Sequence, residues 1–154
     1  MSDSDPAKAW KIAEGSRVCF FRVGDHQMPM APIVRKDEGA IYFLTDARSE
    51  KVGEIRADDD VQLTFQDHSA NDYLVVDGRG RIENDREKIR ELWNAFAKAW
   101  WESPEDPNIR LITVMPHGAE FWDGPGTITA SAKMLFAAVS GGRPDMGEKK
   151  TTGM

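Results

Sequence analysis

Cysteine is almost missing from this chain, with one residue in 154, so no disulfide can form within it. Cys19 lies in the apolar run Val18-Cys19-Phe20-Phe21 with no basic neighbour to lower its pKa. It therefore reads as a packed thiol rather than a nucleophile, in keeping with a reducing, cytoplasmic setting. Apolar runs last only a few residues, far short of the roughly 20 that a membrane-spanning helix needs. The opening Met-Ser-Asp-Ser-Asp-Pro has neither the basic start nor the apolar stretch of a secretory signal, so none is expected. Positive charge is in deficit too. Twenty Lys and Arg against 26 Asp and Glu leave a formal charge of −6, which argues against general nucleic-acid binding.

Chemistry-bearing motifs are equally sparse. The three histidines, His26, His68 and His117, fall in separate turns without metal-ligand spacing. Asp58-Asp59-Asp60 lacks the alternating ligands and glycine of a calcium loop and reads as a solvated turn. No glycine-rich dinucleotide turn, nucleophile elbow or internal repeat is evident.

What is present suits one domain, residues 1–140, followed by a flexible tail over 141–154 rich in Gly, Lys and polar residues. A short helix begins at Asp5-Pro6 and stops at Gly15. Extended runs follow over Arg17–Val23 and Met28–Val34, then a strand over Ala40–Leu44 and a helix over Ser49–Ala57. Val61–Phe65 alternates as a half-buried strand, and Tyr73–Ile82 returns with a kink at Asp77-Gly78. Ile89, Leu92, Trp93, Phe96 and Trp100 recur at helical spacing after an Asn84 or Asp85 cap. That stripe places Trp93 and Trp100 against the sheet and leaves Trp101 off it, available for a subunit contact. Ile109–Met115 and Ala119–Asp123 read as a hairpin turning at Pro116-His117-Gly118, and Ile128–Val139 as a last helix. About six strands joined mostly by short turns predict a mainly β (α+β) fold, an antiparallel barrel with peripheral helices.

The segment from Ile41 to Asp67 carries the functional signal. Arg48 and Lys51 bracket Ser49 at a helix start, where backbone N–H groups already favour an anion. A hydroxyl and two cations there suit a phosphate. Equally, Asp46 or Ser49 caps a plain surface helix, with the charges solvated.

Several words occur in order: MPMAP (Met28–Pro32), YFLTD (Tyr42–Asp46), SEKVGEI (Ser49–Ile55), DDDVQLTF, DGRGRI, ELWNAFAKAWW and EFWDGPG. This set, spread over roughly residues 8–136, resembles the pyridoxamine 5′-phosphate oxidase-like flavoproteins, most closely their general stress protein branch. The resemblance implies a split β-barrel that dimerises and holds flavin mononucleotide (FMN) in grooves between subunits. By position, Ser49 and Lys51 would hold the phosphate. Phe43, Leu44 and Thr45 would line the ring and ribityl chain, and Met28, Pro29 and Met30 would run along the ring edge. Trp122 would stand close to the flavin. Two departures remove positive charge: Met28 replaces the family's usual Arg, and Glu50 separates Ser49 from Lys51. The implied function is FMN binding with oxidation or reduction of an unidentified small molecule. The alternatives are a non-catalytic flavin-binding or stress-sensing dimer, or a related barrel holding deazaflavin or haem. Pyridoxamine phosphate oxidation itself is not expected, because Gly124-Pro-Gly-Thr-Ile-Thr follows Trp122 where the family's oxidases carry an Arg-and-His segment.

Overall fold

Antiparallel pairing dominates the chain. The computed structural model describes residues 5–67, 71–123 and 148–154. In chain order these form α1 (Asp5–Glu14), β1 (Cys19–Val23), β2 (His26–Met30), β3 (Ile33–Arg35), a 3-10 turn (Lys36–Glu38) and β4 (Ala40–Asp46). Next come α2 (Glu50–Ala57), β5 (Asp60–Asp67), β6 (Asp72–Glu83), α3 (Arg86–Leu92), α4 (Ala95–Lys98), β7 (Ile109–Asp123) and β8 (Glu148–Thr152). The sheet order is β2-β1-β5-β6-β7-β4-β3, with β8 added to β7. Strands β2 and β3 end that order on opposite sides, yet only Ala31 and Pro32 join them. The sheet must therefore curl until its edges approach, which makes the expected barrel a half-barrel. The rings of Phe21 on β1 and Phe43 on β4 meet edge-to-face across its interior, with centroids 5.1 Å apart.

Alternation fills that interior. Cys19, Phe21 and Val23 point inward from β1, as do Val61, Leu63 and Phe65 from β5, and α1 adds Trp10, Ile12 and Ala13 to the same core. A second cluster lies on the outer face of the β4–β7 ladder, where Ile89 and Leu92 of α3 cover Ala40, Tyr42, Ile109 and Leu111. Arg86 holds α3 to the start of β7 by donating to the carbonyls of Ile109, at 2.9 Å, and Asp106.

Three sequence-based expectations are corrected here. The Met28–Val34 run breaks at Ala31-Pro32, where proline has no N–H to give a ladder. The hairpin expected at Pro116-His117-Gly118 is one 15-residue strand. Its partner β6 pairs with it from Leu111 to Asp123, on both sides of these three residues, which are absorbed as a bulge: Asp77 faces Gly118, Gly78 faces Pro116, and His117 has no opposite number. A Cβ at Gly78 would sit 2.9 Å from the Met115 carbonyl oxygen, so glycine lets the strands close at this point. The single amphipathic helix expected through Trp100 is two helices. Trp93 leaves helical geometry (φ −57, ψ 132), and the Asn94 side chain accepts from the Ala97 N–H at 2.8 Å, starting α4 afresh.

The C-terminal segment read as a flexible tail also contributes structure, because β8 pairs with Ala119–Asp123. Strand β4 occupies that side of β7 only from Ile109 to Val114, leaving the later edge open for another strand. The helix expected over Ile128–Val139 lies outside the described residues.

Candidate functional site

The curl that brings β2 and β3 together leaves a cavity of about 360 Å³ beside their junction, a volume within the range of small-molecule sites. Met28 to Ala31 and Ile33 form one wall, Leu44 to Asp46 with Ser49 and Lys51 form the inner end, and Asn94, Phe96, Ala97, Trp100 and Trp101 complete the lining. The lining is mostly apolar, and its charged members are Asp46 and Lys51.

Local geometry explains the inner end. Strand β4 leaves its ladder at Asp46, and the Ala47 N–H donates to the Asn108 carbonyl at 2.7 Å while the Ser49 N–H donates to the Asp46 carbonyl at 3.0 Å. This tight turn delivers Ser49 as N-cap of α2 in extended geometry (φ −73, ψ 148), but its hydroxyl does not cap the helix. It lies 3.4 Å from Thr45 Oγ1 instead. Lys51 folds inward to donate to the same Thr45 oxygen at 3.1 Å. Thr45 is 3 % exposed, so the hydroxyl pair and the amine meet in a largely dry corner. Burial lowers the Lys51 pKa, while the Asp46 charge works the other way.

Arg48 takes no part in this arrangement. Its guanidinium and backbone N–H all bond the Asp46 carboxylate, at 2.8–2.9 Å, out in solvent. These bonds hold Asp46 well below the usual carboxylate range, with a further hydrogen bond from the Trp101 side chain. The two cations predicted to bracket Ser49 are thus unequal: Lys51 faces the cavity and Arg48 is neutralised beside it. Glu50 is exposed and turns away, its carboxylate grouping with Glu54 and His26. The His26 Nδ1 lies 2.5 Å from Glu54 Oε1. Sequence spacing gave no hint of this cluster, because the histidine comes from a different element.

Of the residues singled out by sequence, the cavity gathers Met28, Pro29, Met30, Leu44, Thr45, Ser49 and Lys51. Phe43 is elsewhere: strand alternation turns its ring into the barrel, where it is fully buried against Phe21. Trp122 is also not among the lining residues. It stands half-buried on β7, opposite Tyr73 on one side and Lys149 on the other. The aromatic wall of Phe96, Trp100 and Trp101 was missed as a site, because helical spacing assigned Phe96 and Trp100 to the packed stripe. They are 56 % and 70 % exposed, whereas Trp93 and Trp101 pack on the outer cluster. The adjacent tryptophans at 100 and 101 were the available signal, since one helix face cannot bury both.

Comparison with known proteins agrees with the fold. The family model described as pyridoxamine 5′-phosphate oxidase like matches residues 4–145. The protein bli-3 of Neurospora crassa is 25 % identical over 113 residues, covering 68 % of this chain and 54 % of that protein. The chain spans about half the length of the curated relatives it matches. Among solved structures, a candidate general stress protein 26 from Jannaschia sp. CCS1 superposes with a TM-score of 0.78 at 25 % identity, over 96 % of this chain and 97 % of that one. A general stress FMN/FAD binding protein from Xanthomonas citri gives 0.67 at 24 % identity, over 75 % and 85 %. No helix among the described residues is long and apolar enough to cross a membrane.

Proposed function

The chain belongs to the pyridoxamine 5′-phosphate oxidase-like family, and on that premise we propose that its cavity binds FMN, with two copies of the chain forming the working unit. The observation that carries this reading is the amine of Lys51, drawn off the surface to meet the Thr45 and Ser49 hydroxyls where α2 begins. Hydroxyl and ammonium donors at a helix N-terminus suit a phosphate in their chemistry. The apolar wall around Met28, Met30, Ile33 and Leu44 suits a planar ring in the same way.

In this reading Lys51 supplies the charge, and Ser49 and Thr45 orient the phosphate. Strand β2 sets the ring plane through its backbone, and the walls exclude water. Bound flavin would supply the redox chemistry itself. The half-exposed apolar side chains of Val18, just before β1, and Phe20, on the outside of β1, support burial against a second copy.

A non-catalytic flavin binder is the second reading, and a specific observation favours it. The cavity's charged groups are both engaged, Asp46 by Arg48 and Lys51 by Thr45, and among the described residues that line it there is no other titratable side chain. Absorption spectra of the purified protein test the cofactor: FMN shows oxidised-flavin bands, haem or deazaflavin shows its own, and a colourless protein that fails to bind added FMN sinks the proposal. Anaerobic titration with a nicotinamide donor then separates an oxidoreductase, whose flavin bleaches, from a passive carrier. Sedimentation showing only monomers would remove the two-copy arrangement.

A further inference from the structure

Trp100 and Phe96 are the anomaly of this fold. Large aromatic side chains bury 150–250 Å² each when they pack, yet these two stay 70 % and 56 % exposed. The sequence offers them an easy place on the α3 stripe beside Ile89 and Leu92. The chain declines it by breaking the helix at Trp93 and capping a new one with Asn94. Everything around the pair is tied down. The N–H groups of Trp100 and Trp101 both donate to the Ala97 carbonyl, at 2.9 and 3.0 Å. Trp101 packs on the outer cluster beside Trp93, which anchors the segment that follows α4. The aromatics are therefore held open on an anchored support, and they line the same cavity as Lys51.

We propose that Phe96 and Trp100 are a stacking platform for the planar end of the cavity's guest, which under the reading above is the isoalloxazine ring. The cavity's lining is amphiphilic: the ammonium of Lys51 and the hydroxyls of Thr45 and Ser49, apolar side chains on β2, and the aromatic rings of Phe96 and Trp100. A molecule with an anionic tail and a flat apolar head matches that polarity. Stacking a heteroaromatic ring on such a side chain contributes enough that truncation to alanine weakens binding by roughly 5- to 150-fold.

The test compares FMN with riboflavin, which has the same ring and no phosphate. Trp100→Ala should weaken both ligands by the same factor, roughly 5- to 150-fold, and Trp100→Phe should restore most of the affinity. Lys51→Ala should weaken FMN and spare riboflavin. Because Trp100 is largely solvent-exposed, the circular dichroism and melting temperature of its variants should match the parent. Stacked tryptophan also quenches flavin emission, so bound flavin should brighten in Trp100→Phe. The platform is overturned if Phe96→Ala/Trp100→Ala binds both ligands within about twofold of the parent, below the stacking range, or if its dimer dissociates while riboflavin affinity holds. A parent protein that binds neither ligand overturns the flavin reading, and the platform with it.

Discussion

Replacing Lys51 with methionine removes one charge while keeping the length and apolar stem of the side chain. In the parent, the cavity walls strip water from the ammonium and lower its pKa, and Thr45 Oγ1 at 3.1 Å is its hydrogen-bond acceptor. A lysine whose folded pKa lies below its unfolded one costs the empty protein stability at neutral pH. That cost is relieved as pH rises through the lowered value towards the unfolded one. Methionine should therefore leave the melting temperature unchanged or raise it. FMN binding should move the other way, losing one charge-assisted contact worth ~1.5–3 kcal/mol, or roughly 10- to 150-fold in Kd. The pH profile carries the same signature. Parent affinity should fall below about pH 6 as the phosphate takes up a proton, and again on the alkaline side as Lys51 loses its own. The variant should keep the acid limb and lose the alkaline one. Isothermal titration across pH, with thermal melts of the empty protein, measures both quantities. A Lys51→Met protein that binds FMN as tightly as its parent, alkaline limb intact, would refute the placement of the phosphate.

Gly78→Ala forces a methyl to within 2.9 Å of the Met115 oxygen and the Val114 side chain. It should cost about 1–3 kcal/mol and lower the melting temperature by roughly 3–10 °C, without changing FMN affinity; an unchanged melt would mean the bulge relaxes freely. Burial pushes the Cys19 thiol up to about 12, so native protein at pH 8 should resist iodoacetamide that modifies it readily in denaturant. Since that pKa is raised on folding, the associated stability is complete below the unfolded value and is lost as pH climbs towards the folded one. Denaturant midpoints should thus fall on the alkaline side in the parent more steeply than in Cys19→Ala. Glu50→Gln removes an exposed carboxylate from the first turn of α2. It should tighten FMN by no more than about 2- to 5-fold, fading with salt; weaker binding would show that Glu50 contacts the ligand.

Much of the architecture was legible because period and punctuation are local. Alternation in Val61–Phe65 marked a half-buried strand, Gly15 ended α1, and Asp77-Gly78 announced the irregularity found in β6. The errors share one physical origin. Pro116-His117-Gly118 has the composition of a turn, but a partner strand that pairs on both sides of it converts it into a bulge. Phe96 and Trp100 obey helical spacing, but the Asn94 cap redirects them. In each case tertiary pairing or a competing side-chain hydrogen bond overrode a local preference worth only tenths of a kcal/mol to about one.

Sequence by itself determined that the chain carries no internal disulfide, holds an antiparallel mainly β core, and places Ser49 and Lys51 at a helix start. Those properties follow from composition, periodicity and capping, which act over a few residues. Only the folded sheet decided which cation serves the cavity, by closing Asp46 onto Arg48 and turning Lys51 inward to Thr45. It also decided that Phe96 of α4, with Trp100 and Trp101 just beyond it, rather than Phe43, supplies the aromatic lining. The reason is geometric: β2, β4 and α4 line one cavity only because the sheet curls, and no stretch of sequence encodes which residues a closing barrel brings together.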